Sequence, residues 1–262
     1  MRMEGKVALI TGAGSGIGKA TAEIYAREGA SVVIAELYAD RAEQVAEAIN
    51  SSGGKALALT VDVTDSSAVN DMVARTIEAF GKVDVLMNNA GLSFQQDVRY
   101  ITDENWQASL DLILTAPFYG SRAVLPHMIE QGSGSIINIS SVRGMTATGE
   151  EGYSAAKAGL INLTRNMAAR YGKFGVRCNA VCPGAVKTGL VGSVPPKPGQ
   201  ENGGAKMTPL GRVGQPEDVA YACLYLGSDE AAWVSGAILP VDGGLVAGPL
   251  GLLKDFAGDT RD

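Results

Sequence analysis

The sequence predicts an α/β fold, a doubly wound seven-stranded parallel sheet with helices on both faces. Three observations carry this. Short apolar runs alternate with helical patterns along the chain. The first run leads directly into a glycine-rich turn and a helix, and the segments richest in reactive side chains each follow a strand end, where such a sheet has its ligand crevice. The 262 residues, 46% of them hydrophobic, suffice for one large core. No repeat, charge block or separable linker divides them, so residues 1–262 read as a single domain.

The first strand is placed at residues 6–10, followed by Thr11-Gly12-Ala13-Gly14-Ser15-Gly16-Ile17-Gly18 and a helical pattern from Lys19 to Glu28. Glycines let the backbone turn tightly and approach a pyrophosphate, and the free N–H groups at the helix start hold its charge. The spacing is T-G-x-x-x-G-x-G through Gly12, Gly16 and Gly18, not G-x-G-x-x-G. Strand, turn and helix together predict a nucleotide site in a Rossmann-like sheet. The second strand, residues 31–35, ends at Glu36, 18 residues beyond Gly18. That carboxylate can accept both adenosine ribose hydroxyl protons and repels a 2′-phosphate, and Leu37 follows it instead of a basic residue, so NAD is expected over NADP. Arg41, in the next helix, is within reach of such a phosphate and is read as a solvated helix arginine.

Further strands are expected at residues 56–61, 83–87, 135–139, 177–182 and 237–241. Runs such as Val83-Asp84-Val85-Leu86-Met87 and Ser135-Ile136-Ile137-Asn138-Ile139 are short and apolar, as in a parallel sheet covered on both faces. Tyr153 and Lys157 lie four apart on one helix, a phenol beside an ammonium. A nearby cation favours the phenolate, which suits the tyrosine to general acid or base work in a carbonyl/alcohol interconversion.

With those residues in place, the chain resembles the short-chain dehydrogenase/reductase family from about Gly5 to Gly244. The resemblance rests on the glycine motif at 11–18, Asp62-Val63, Asn88-Asn89-Ala90-Gly91, Ile139-Ser140-Ser141, Tyr153-x-x-x-Lys157, and Pro183-Gly184 with Thr188, all in family order. It implies that Tyr153 is the catalytic acid/base, that Ser141 hydrogen-bonds the substrate oxygen, and that Lys157 holds the ribose and lowers the Tyr153 pKa. It implies a cofactor set of Gly12, Ser15, Gly16, Ile17, Gly18, Glu36, Asp62, Val63, Asn89, Ala90, Gly91, Tyr153, Lys157, Pro183, Gly184, Val186 and Thr188. Within that set Asp62 and Val63 flank the adenine, Asn89 to Gly91 lie by the nicotinamide-side ribose, and Thr188 meets the carboxamide.

Ser140 competes with Ser141, and a gapless count from Trp106 favours Ser141, leaving 12 residues to Tyr153, one short of the family spacing; residues 145–152 take up the deletion. The same count puts Ile113 where the family has an Asn that extends a proton relay from the lysine, and Pro117 is expected to kink that helix. The activity implied is NAD(H)-dependent interconversion of a secondary alcohol and a ketone. A cofactor-binding homologue with weak catalysis and a regulatory role is the alternative that Ile113 raises.

A net charge of −6 excludes a nucleic-acid partner, since no basic face meets a phosphate backbone. Residues 1–5 hold no apolar signal region and no run approaches 18 apolar residues, so a cytoplasmic protein without membrane contact is expected. Cys178, Cys182 and Cys223 are read as buried reduced thiols, and His127, following Leu125-Pro126 at a helix end, as structural, so no metal is expected. Residues 189–207, Gly/Pro-rich, are read as a substrate lid whose Leu190, Val191 and Val194 line the pocket. Residues 245–262 form a C-terminal extension whose Leu250, Leu252, Leu253 and Phe256 reach toward a neighbouring subunit. A small-molecule substrate and a homotetramer follow from the resemblance.

Overall fold

The computed structural model describes residues 1–94, 96–147, 149–188 and 203–248. Seven strands are present: β1 (Val7–Thr11), β2 (Ser31–Glu36), β3 (Lys55–Thr60), β4 (Val85–Asn88), β5 (Gly134–Ile139), β6 (Val176–Pro183) and β7 (Ile238–Val241). They form one sheet in the order β3-β2-β1-β4-β5-β6-β7, every pairing parallel, as the sequence predicts. Strand β4 starts two residues later than expected, and at its entrance the Asp84 carboxylate accepts a hydrogen bond from Val7 N (2.7 Å).

Alternation along each strand divides the core in two. Ala8, Ile10, Val32 and Ile34 face one side, with α1 (Gly16–Arg27), α2 (Ala39–Ser51) and α8 (Pro216–Gly227) packed over them through Ile24, Tyr25, Val45 and Leu224. Leu9, Val33, Ala35 and Leu86 face the other, covered by α3 (Ser66–Phe80), α5 (Ala116–Gln131) and α6 (Glu151–Tyr171) through Met72, Val124, Met128 and Met167. Period-two alternation in strands buried on both faces is what made them read as continuous apolar runs.

Between α4 (Asp103–Leu110) and α5 the chain makes a π turn, Asp111–Thr115, in which Ala116 N donates to Asp111 O. Pro117 explains it: without an N–H it cannot bond the Ile113 carbonyl, so the expected kink takes the form of a wider turn. Ile113 itself is fully buried there. His127 sits inside α5, not at its end, because Pro126 is accommodated within the helix. The three cysteines are buried and unpaired, with burial pushing the Cys178 and Cys223 thiols up to about 12.

Of the stretch read as a lid, residues 203–207 form a short helix, α7 (Gly203–Met207), and 189–202 lie outside the described residues. Residues 245–248 form a turn held by Asp242, which accepts from Gly244 N (2.9 Å) and Val246 N (2.8 Å), and 249–262 lie outside the described residues. Among the described residues no helix is long and apolar enough to cross a membrane.

Candidate active site

The connections leaving β1 and β4 run to opposite sides of the sheet, so the turns after these adjacent strands face one another across a crevice. Thr11 Oγ1 accepts from Asn89 N (3.0 Å) and Ala90 N (3.2 Å), and Asn89 Nδ2 donates to the carbonyls of Thr11 (2.9 Å) and Gly12 (3.0 Å). These bonds dock the Asn89–Gly91 turn against the glycine turn. Gly12 has φ 62°, and a Cβ there would stand 2.9 Å from Ala90 Cα. Gly18 is tighter still: its Cβ would run into the Gly12 carbonyl oxygen and lie 2.6 Å from Asn89 Nδ2. Gly18→Ala is therefore expected to destabilise the fold by about 1–3 kcal/mol and weaken dinucleotide binding more than tenfold, measured by thermal melting and NADH titration. An alanine variant that binds as the parent does would mean the turn yields without consequence.

Ser15, the N-cap of α1, is extended and makes no side-chain cap, which leaves the first amides of that helix without a side-chain acceptor. The Ile17 side chain packs against the core. Glu36 closes this end of the crevice: nearly buried, it accepts a hydrogen bond from Gly14 N (3.1 Å). Arg41 is an exposed helix arginine, as expected, with its guanidinium over the exposed Tyr38 ring, 4.6 Å from its centroid. Asp62 is held by Thr64 N (2.9 Å) and Thr64 Oγ1 (2.7 Å), with Val63 buried beside it. At the other end, a Cβ on Gly91 would lie 3.7 Å from Lys157 Nζ and a Cβ on Gly16 would lie 3.3 Å from Thr188. Pro183 ends β6, Gly184 N bonds the Val241 carbonyl (3.1 Å), and buried Val186 pairs with Gly214. The glycine turn, the Asn89–Gly91 turn and Glu36 thus stand together at the strand ends. Glycines where a Cβ would intrude, uncapped helix amides and a carboxylate at the end of β2 fit a nicotinamide dinucleotide.

Ser141, Tyr153 and Lys157 meet where β5 ends against α6. Ser140 turns away, donating from its hydroxyl to the Lys157 carbonyl (2.9 Å), whereas the Ser141 hydroxyl is hydrogen-bonded to Tyr153 and accepts from Arg143 N (3.1 Å). Fully enclosed, the Lys157 ammonium donates to the Ile139 carbonyl (2.6 Å) and sits 5.4 Å from the Tyr153 ring centroid. Desolvation lowers its pKa to about 8, so the group is still charged at neutral pH. Burial pushes the Tyr153 phenol up, and the Ser141 hydrogen bond, then the Arg143 charge, pull it back. A phenol and a hydroxyl sharing a hydrogen bond beside a cation can stabilise charge on an oxygen and exchange a proton with it.

Two charged groups that sequence reasoning did not single out stand next to this trio. Arg143 lies on a 3₁₀ turn (Val142–Gly144) packed so closely on α6 that a Cβ on Gly144 would be 2.7 Å from the Lys157 carbonyl carbon. It forms an ion pair with Glu150, whose other carboxylate oxygen accepts from Ser93 Oγ. Glu150 has φ 57°, the one non-glycine residue in the left-handed region among those described. An arginine two residues after the candidate serine, and an acid three before the candidate tyrosine, were the available signals.

A family profile described as Enoyl-(Acyl carrier protein) reductase matches residues 12–246. The 3-oxoacyl-(acyl-carrier-protein) reductase of Thermotoga maritima is 38% identical over 94% of this chain and 100% of its own. The cis-4-hydroxycyclohexanecarboxylate dehydrogenase of Sinomonas cyclohexanicum is 42% identical over 92% of this chain and 97% of its own. Among solved structures, a 7α-hydroxysteroid dehydrogenase complexed with NADH and 7-oxo glycochenodeoxycholic acid superposes with a TM-score of 0.89 at 38% identity, covering 93% of this chain and 95% of that one.

Proposed function

The chain belongs to the short-chain dehydrogenase/reductase family of oxidoreductases, and from that premise we propose that it interconverts a secondary alcohol and a ketone with NAD(H), Tyr153 serving as acid/base. The observation that carries this reading is the meeting of Ser141, Tyr153 and Lys157 at one end of a crevice whose other end is the glycine turn backed by Glu36. When bound, the cofactor supplies or accepts the hydride. The protein's part is to hold the reacting oxygen and move its proton. Ser141 accepts from Arg143 N, which leaves its own proton for Tyr153 or for the substrate oxygen. Tyr153 delivers a proton as hydride reaches the carbonyl carbon and removes one in the reverse direction. Lys157 holds the nicotinamide-side ribose and supplies positive charge over the face of the phenol ring. The crevice residues from Gly12 to Gly18, with Asn89, Ala90, Gly91, Pro183, Gly184, Val186 and Thr188, hold the dinucleotide, and Asp62 and Val63 its adenine.

Preference for NAD rests on Glu36, whose carboxylate stands at the adenosine-ribose position with Gly14 N as its partner, and on Arg41 lying over Tyr38. Titration with NADH and NADPH is expected to give at least tenfold tighter NADH binding, and Glu36→Ala to narrow that gap; tighter NADPH binding would overturn the assignment. Relatives named for a ring hydroxyl and for a steroid hydroxyl support a cyclic secondary alcohol as substrate. Resemblance supports a cytoplasmic homotetramer. Ile113, fully buried where the family has an Asn, favours one second reading, a cofactor-binding homologue with little turnover. A screen of secondary alcohols and ketones at the nicotinamide absorbance separates the two.

A further inference from the structure

We propose that Arg143 is a specificity-determining residue that receives a carboxylate carried by the substrate, so that the preferred substrates are hydroxy acids and keto acids. The proposal rests on the oxidoreductase reading and names the substrate class for that site.

Position comes first. Arg143 is two residues from Ser141, and its backbone amide bonds the Ser141 hydroxyl at 3.1 Å. Its turn packs directly on α6 at Lys157, and its charge bears on the Tyr153 phenol. A substrate whose oxygen lies between Ser141 and Tyr153 therefore has this guanidinium as a near neighbour.

Satisfaction comes second. Arginine offers five N–H donors in a planar fork. Arg143 Nη1 is buried against a Glu150 carboxylate oxygen in an ion pair that lies outside hydrogen-bond geometry, and Nε and Nη2 donate to no described residue. Those two remaining donors are free to take a second anion, and a carboxylate fits the fork with two parallel bonds.

Glu150 explains how the charge is held in the meantime. One carboxylate oxygen faces Arg143 and the other accepts from Ser93, so Glu150 keeps an anchor on the β4 loop if Arg143 takes a second anion. The acid is held in the left-handed region at the start of α6, which places it across from Arg143 at a conformational cost that a glycine would avoid. Side-chain exposures of 34% for Arg143 and 19% for Glu150 leave the pair reachable from solvent without being fully screened.

The test measures kcat/KM for matched pairs of cyclic and acyclic secondary alcohols, each as the free carboxylate and as its neutral amide. It also titrates cyclohexanecarboxylate, an inert anion, into the protein with NADH bound. The parent is expected to favour carboxylates by about ten- to hundredfold and to bind the inert anion. In Arg143→Gln the carboxylate-to-amide ratio should fall toward one, in Arg143→Lys it should fall part way, and in Glu150→Gln, which removes a competing anion, the inert carboxylate should bind several-fold more tightly. Taking the ratio within each variant cancels any change at Tyr153, because both substrates of a pair use the same acid/base. Turnover of amides as good as that of acids, or a ratio unmoved by Arg143→Gln, overturns the proposal and leaves the oxidoreductase reading intact. Arg143-dependent binding of the inert carboxylate with no turnover of any pair has the opposite meaning: the anion site stands and the redox reading fails.

Discussion

Tyr153→Phe is expected to lower kcat about 1,000-fold while leaving the NADH dissociation constant within about twofold. Phenylalanine keeps the half-buried ring that lies beneath the Lys157 ammonium, and it removes only the hydroxyl bonded to Ser141. The glycine turn, Glu36 and the Asn89 bonds that shape the cofactor crevice are untouched. Steady-state rates with a responsive alcohol, beside a fluorescence titration with NADH, separate the two effects. A variant retaining more than a tenth of the parent rate would remove Tyr153 from the acid/base role. The pH profile adds a signed check. Because burial raises the phenol pKa, the neutral acid needed for ketone reduction is present at pH 7, whereas the phenolate needed for alcohol oxidation accumulates only in alkali. Oxidation should therefore keep rising with pH where reduction has levelled or begun to fall.

Lys157→Met is expected to abolish measurable turnover and yet raise thermal stability at pH 7. Enclosing the ammonium lowers its pKa from 10.5 to about 8, a displacement equivalent to roughly 3 kcal/mol of unfavourable burial. The sign follows from proton counts. Between pH 8 and 10.5 the unfolded chain binds a proton at this lysine that the folded chain has released, so this group's contribution to stability rises with pH across that window. Below it both states are protonated and the folded state bears the whole penalty. Methionine fills a similar volume without charge but forfeits the charge-assisted bond to the Ile139 carbonyl, worth about 1.5–3 kcal/mol, leaving a net gain of up to about 1.5 kcal/mol, or a few degrees in Tm. Calorimetric melts should show that gain at pH 7 shrinking toward pH 10. A less stable variant at pH 7 would mean the carbonyl bond outweighs desolvation. A gain of that sign would mark Lys157 as a residue the fold tolerates for its chemistry.

These two residues were legible before any coordinates because a spacing of four on a helix fixes a shared face. The strands were legible for a related reason: in a parallel sheet covered on both faces nearly every position is apolar, and runs such as Val83 to Met87 leave little choice. The glycine turn was legible from Gly12, Gly16 and Gly18, which stand where a side chain would strike Ala90, Thr188 or the Gly12 carbonyl. Choosing between Ser140 and Ser141 was harder, since neighbours on a strand end point opposite ways and the sequence offers only a count. In the structure one hydroxyl bonds a helix carbonyl and the other bonds the phenol.

By itself, then, the sequence determined the seven-stranded sheet, the crevice at its strand ends and the identity of the groups gathered there, since those follow from local periodicity and from turns that only glycine permits. Tertiary structure decided what lies beside those groups. The π turn at Asp111–Thr115 depends on how Pro117 is accommodated against its neighbours, and the Arg143–Glu150–Ser93 contact joins a strand-end turn, a helix start and a loop 57 residues away in sequence. No period or spacing encodes a contact of that kind. It arises because packing the 3₁₀ turn onto α6 leaves a guanidinium and a carboxylate together at low exposure, where each must take the other or a ligand as its partner.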